Sequence, residues 1–129
     1  MEQSNKKVVL DSSMLLNIED LKIDVFDELK KEFGKVDFYI TNAIDAELKL
    51  LTEKNQKTRK KVKIAKKLME KNKVKVLYID TENADDSLVE AGKKGMYVAS
   101  NDKELRKRIK KVKGKNIYLR KKTFIEITQ

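Results

Sequence analysis

Short β-branched runs alternate with longer helical patterns from one end of this 129-residue chain to the other. That alternation narrows the fold more than any other feature, because strands separated by helices long enough to cross over pair in parallel, and a parallel sheet needs helices on both faces to bury it. The candidate strands are residues 7–10 (KVVL), 36–40 (VDFYI), 74–79 (VKVLYI), 96–99 (MYVA) and 116–119 (NIYL), with a sixth run at 124–127. Helical patterns fill the gaps: a turn or two over 13–17, then 24–33, 42–54, 57–72, 85–94 and 102–112. The expectation is an α/β fold with a mainly parallel sheet.

Gly34, Gly95 and Gly114 each stand between a helical pattern and a strand, where a left-handed C-terminal cap is wanted. No repeat or linker divides the chain, so residues 1–129 read as one domain. No apolar run approaches the roughly 20 residues that span a bilayer, and the start, MEQSNKKVVLDSS, lacks the core of a secretory signal. A cytoplasmic protein without a membrane partner is expected.

The chain contains neither Cys nor His. Disulfides, structural zinc sites, thiolate nucleophiles and imidazole bases are therefore excluded within it. A metal ion here would be held by oxygen, which favours hard divalent ions of the magnesium or manganese kind.

The net charge of +10 is unevenly spread. Residues 57–75 hold ten Lys+Arg against one acid, and residues 103–122 hold eleven against one. Together these segments carry +19, which leaves the remainder of the chain at −9. Two basic segments and an acidic remainder suit a phosphate backbone laid beside a separate acidic centre. The plainer readings are solvated helix faces, with Ile64 and Leu68 on the first helix's apolar stripe, and the lysine-rich composition towards which hyperthermophile proteins drift.

In an open parallel sheet, ligands bind beyond the carboxyl ends of the strands. The residues placed there are acidic: Asp11 after KVVL, Glu47 two turns into the helix after VDFYI, Asp85 and Asp86 soon after VKVLYI, and Asp102 after MYVA. On its helix Glu47 lies roughly 40° from Leu51, and Asp45 roughly 60° beyond Leu48, which makes Glu47 the better inward candidate. Asp85 projects between Leu88 and Val89, with Asp86 displaced roughly 100° outward. Each acid also has a structural reading: Asp11 before Ser12 and Ser13, and Asn101 with Glu104 three residues on, match helix N-terminal caps. Capping does not account for a boundary Glu meeting the other acids over one crevice, and carboxylates gathered there would repel unless a cation joined them.

The segments VVLDSSMLL, ITNAIDAELKLL and NADDSLVEAGKKGMYVASNDKELRKRIKKV together resemble the PIN-domain nucleases, and the last is most similar to their ribosomal-RNA-processing branch. The likeness covers about residues 6–128. It implies a three-layer α/β/α sandwich around a five-stranded sheet of order 3-2-1-4-5, one or two Mg2+ or Mn2+ ions, and hydrolysis of single-stranded RNA by metal-activated water. Carried over, the family's four acids fall on Asp11, Glu47, Asp85 and Asp102, with the third open between Asp85 and Asp86. Ser12, Ser13 and Ser100 stand where relatives often carry Thr or Asn, and they keep a hydroxyl. Ser13, Ser100 and Asn101 are then supporting residues, and Lys57, Arg59, Lys60, Arg106 and Arg108 would hold phosphates. The tyrosines and phenylalanines fall mostly in strands and read as core, so recognition should rest on RNA shape and backbone. The resemblance also brings a homodimer, and a ribosome-assembly or antitoxin partner, into view. Competing readings are a non-catalytic RNA-binding module, a toxin-type ribonuclease, and a phosphoacceptor receiver domain, which the solitary Asp11 disfavours.

Overall fold

The computed structural model describes residues 5–120 and 124–128. In chain order the elements are β1 (Lys6–Leu10), α1 (Ser12–Leu21), α2 (Val25–Phe33), β2 (Val36–Thr41), α3 (Asn42–Thr52), α4 (Gln56–Lys71), β3 (Lys75–Leu77), α5 (Ala84–Lys93), β4 (Tyr97–Ala99), α6 (Lys103–Lys111), β5 (Lys115–Arg120) and β6 (Phe124–Thr128). They form one six-stranded sheet of order β3-β2-β1-β4-β5-β6. Its first five strands run parallel, in the expected order, and β6 closes one edge by pairing antiparallel with β5. The five-stranded expectation therefore gains a sixth strand.

The register sorts the side chains into two layers. Phe38, Val8 and Tyr97 share one row, and this row faces α2: the Phe26 ring lies 4.9 Å from Phe38 and the Phe33 ring 5.0 Å from Tyr97. The next row, Tyr39, Val9, Val98 and Asn116, faces α5 and α6, where Val98 approaches Gly92 and Asn116 Nδ2 donates to the Arg106 carbonyl at 3.1 Å. Strands covered on both faces read as continuous apolar runs, and Val8, Val9 and Leu10 are wholly buried. Each such side chain contributes about 1.5–3 kcal/mol through burial.

Three local expectations need correction. Helix α1 extends over ten residues instead of a turn or two. Gly34 and Gly95 have positive φ, at 81° and 93°, but before β5 the left-handed residue is Lys113 (φ 60°). Gly114 is required for space: a Cβ there would stand 2.7 Å from Ile109 Cγ2 and 3.1 Å from the Ile109 carbonyl oxygen. Third, Tyr78 is not core but 78% exposed, beside the edge strand β3 and its exposed Val76. Helix α4 buries Val62 and Ala65, with Ile64 and Leu68 at the margin of its packed face. No helix among the described residues is long and apolar enough to cross a membrane.

Candidate active site

Parallel strands point their carboxyl ends to one edge, and the acids selected from the sequence gather there. Asp11 follows β1 at the start of α1, yet its side chain makes no capping bond. It is buried, and its Oδ2 accepts hydrogen bonds from Ser100 Oγ (2.6 Å) and Ser13 Oγ (2.9 Å). Each serine has one proton to give, so both are spent on Asp11, and each oxygen accepts a backbone N–H in return: Asp102 N onto Ser100 and Asn101 N onto Ser13. Two parallel relays thus run from the loop after β4 to the Asp11 carboxylate. The hydroxyls expected at these positions are present and serve the acid, not helix caps.

Asn101 does not cap α6, as its pattern suggested. Its Oδ1 accepts from Leu119 N at 3.0 Å and ties the loop to β5, while Asp102 is the cap, its Oδ1 accepting from Glu104 N and Leu105 N. Glu47 reaches back across the edge to accept from the Ser12 hydroxyl. Asp45, the alternative on the same helix, turns away to pair with Lys49 at 3.2 Å. Asp85 and Asp86 part in the same manner, since Asp86 is bound to Arg108 (2.6 Å) and Asp85 lines a cleft of about 320 Å³ with Glu47, Asn83, Ala84 and Arg108. The helix cap here is Asn83, which leaves both aspartates free of that duty.

Burial pushes the Asp11 carboxyl above its ordinary range; the Ser100 and Ser13 hydrogen bonds oppose the rise, and the nearby Glu47 charge adds to it. Asp85 is also raised, first by desolvation and then by the charges of Asp11 and Asp102, with Arg108 pulling the other way. Those shared fields place Asp11, Glu47, Asp85 and Asp102 within one electrostatic neighbourhood. Among the described residues no three carboxylates are drawn together into a ready cage for a cation. The donor set nevertheless fits a hard divalent ion: every candidate ligand is an oxygen, and Asp11 and Asp85 are each destabilised in their charged form by burial and by neighbouring carboxylates.

The basic residues divide. Arg108 lines the carboxylate cleft; Arg106 does not, and lies over the Tyr118 ring at 4.0 Å. Lys57, Arg59 and Lys60 are exposed on α4, away from this cleft; Lys60 faces Glu19 at 3.8 Å and Arg59 Nε donates to the Thr52 carbonyl. Sequence reasoning missed the second layer of support. Thr41, at the end of β2, and Ser87, in the first turn of α5, are buried with their hydroxyls 2.8 Å apart. Ser87 donates to the Ala84 carbonyl and Thr41 accepts from Ile44 N, so the shared proton belongs to Thr41. The start of α3 is thereby latched to the start of α5, and Asn42 Oδ1, accepting from Ile79 N, holds the strand-end loop beside them. A hydroxyl or amide at a strand end was the available signal, but its partner lies about 40 residues away in sequence.

Comparison with known proteins gives a consistent result. A sequence model described as a PIN-like domain matches residues 8–122. Ribonuclease VapC9 of Archaeoglobus fulgidus is 36% identical over 132 aligned positions, spanning 95% of this chain and 93% of the relative. The solved structure of the PIN-domain endonuclease Utp24 superposes with a TM-score of 0.76, at 24% identity, over 94% of this chain and 90% of that one. That likeness is one of fold.

Proposed function

This chain belongs to the PIN-like domain family, and we propose that it is an endoribonuclease that hydrolyses phosphodiester bonds of single-stranded or structured RNA in ribosomal-RNA processing. The observation that carries the reading is the buried Asp11 carboxylate, held by two serine relays against burial and the Glu47 charge, both of which disfavour it. A buried carboxylate whose charged form is disfavoured by its surroundings gains from a bound cation. Its relatives' names, a ribonuclease and an endonuclease, agree.

Asp11, Glu47 and Asp85, with Asp102 beside them, would hold one or two Mg2+ or Mn2+ ions, which when bound supply water activation and neutralise charge on the scissile phosphate. Asp86, whose carboxylate is paired with Arg108 at 2.6 Å, is left out of this set in favour of Asp85. Ser13 and Ser100 fix the orientation of the Asp11 carboxylate, and Ser12 that of Glu47. Arg108, at the cleft mouth, meets a phosphate oxygen as the chain's own positive charge.

A labelled RNA with single-stranded regions, incubated with Mn2+, Mg2+ or excess chelator, tests the reading. Cutting should require the metal and fall at least a hundredfold in both Asp11→Asn and Asp85→Asn, with Asp86→Asn much less affected. Equal cutting by the native chain and both variants would overturn it. A toxin-type ribonuclease is the second reading, favoured by the exposed Leu50 on α3, Val76 in β3 and Tyr78 just after it, where an antitoxin or second copy could sit. In that case cutting would be silenced by a coexpressed partner chain.

A further inference from the structure

Helix α6 carries its cations on two sides. Arg108 belongs to the carboxylate cleft, whereas Lys103, Arg106, Lys107 and Lys110 line a trough of about 340 Å³ beside the β5–β6 hairpin, floored by Asn116, Tyr118 and Thr128. The pairing of Tyr118 with Glu126 and of Asn116 with Thr128 puts these side chains on the α6 side of the hairpin, while Ile117, Ile125 and Ile127 face the other way. The apolar side of the ribbon is thus packed and the polar side left open beside four cations. Among the described residues the one ion pair these four make is Lys107 to Glu104, exposed, at 3.3 Å.

The trough continues towards the acids. Arg106 and Tyr118 also line an adjoining cleft of about 380 Å³ that reaches Asn101, in the loop after β4, and Asn17 and Asp20 on α1. Arg106 N donates to the Asp102 carbonyl, so the trough begins one helical turn from a candidate catalytic acid. The two acids nearest this path are already engaged, Asp20 with Lys61 at 2.8 Å and Glu126 with Arg120 at 3.8 Å. At its centre the Arg106 guanidinium lies over the Tyr118 ring, and Arg106 Nε is without a partner among the described residues. An arginine stacked on a tyrosine, ringed by lysines, offers a flat surface for an unpaired base and charges for the phosphates on either side of it.

We propose that this trough holds the single-stranded flank of the RNA substrate, with one base stacked at the Arg106–Tyr118 pair and the backbone on Lys103, Lys107 and Lys110. The proposal rests on the nuclease reading for the direction of the strand, but its test does not depend on cutting. Anisotropy of a labelled single-stranded oligonucleotide is read in chelator with the 129-residue chain and its Tyr118→Leu, Tyr118→Phe and Lys110→Glu variants. Tyr118→Leu should weaken binding roughly tenfold, Tyr118→Phe should keep native affinity, and Lys110→Glu should weaken binding and flatten its salt dependence. Lys31→Glu, on the far face of the sheet, should change little. A melting curve for each variant separates lost binding from lost folding. Unchanged affinity in folded Tyr118→Leu and Lys110→Glu would overturn the trough while leaving the nuclease reading intact, and so would duplex RNA binding as tightly as single strands. Chelator-independent binding with the expected variant pattern but no cutting under any metal would uphold the trough and remove the nuclease.

Discussion

At the scale of the residue, Asp11 sets stability against function. Its folded carboxyl is raised, so the folded state holds a proton more tightly than the unfolded one, and stability falls as pH climbs from the ordinary carboxylate range through the raised value. Asp11→Asn removes the buried charge and should stabilise the metal-free protein by about 1 kcal/mol at neutral pH. The gain should vanish in acid, where the native carboxyl is already protonated. Thermal melts of both proteins across pH 3–8 in chelator check this, and adding Mn2+ should raise the native melting temperature but not that of the variant. The position of this acid was legible because it follows the first strand; helical angles turned Asp85 inward and Asp86 outward but left the third acid open between them, and the Arg108 partner that separates them lies 22 residues on. The Ser12–Glu47 and Asn101–Leu119 bonds were not legible, because a short polar side chain at a strand-to-helix junction carries no mark of which distant backbone or carboxylate will meet it.

At the scale of the element, α1 shows why local pattern underestimates. Its last turn contains Glu19 and Asp20, acids that a helix C-terminus disfavours. The compensation comes from α4, whose Lys60 and Lys61 reach those two acids. Basic residues that looked free for RNA are thus partly occupied in joining helices. The exposure of Tyr78 was hidden for a related reason: a β-branched run has the same appearance in a central strand and at an edge. Helix α6 meets β5 through contact too tight for a side chain, Gly114 against Ile109. Gly114→Ala should therefore cost about 2 kcal/mol and lower the melting temperature by about 8 °C, measurable by calorimetry, with Gly95→Ala strained through its backbone instead.

At the scale of the whole molecule, the parallel sheet and the gathering of strand-end acids along one edge followed from alternation, because parallel crossovers leave few other arrangements, whereas the strand order came from the family resemblance. The division of the cations did not follow, since it depends on which side of α6 the β5–β6 hairpin closes. RNA binding should be strongly screened: with four or five phosphates engaged, log K against log salt should have a slope of roughly −3, at about 0.7 per phosphate on a single strand. A titration from 50 to 300 mM KCl measures it, and a flat response would place the bound RNA away from α6. The buried bond between Thr41 and Ser87 bears on the molecule as a whole. It runs in one direction, from the start of α3 into the first turn of α5, and neither group titrates near neutrality. The spacing of the two helices that carry Glu47 and Asp85 is therefore a fixed gauge, set in the interior and indifferent to pH or salt, against which anything entering the cleft is sized.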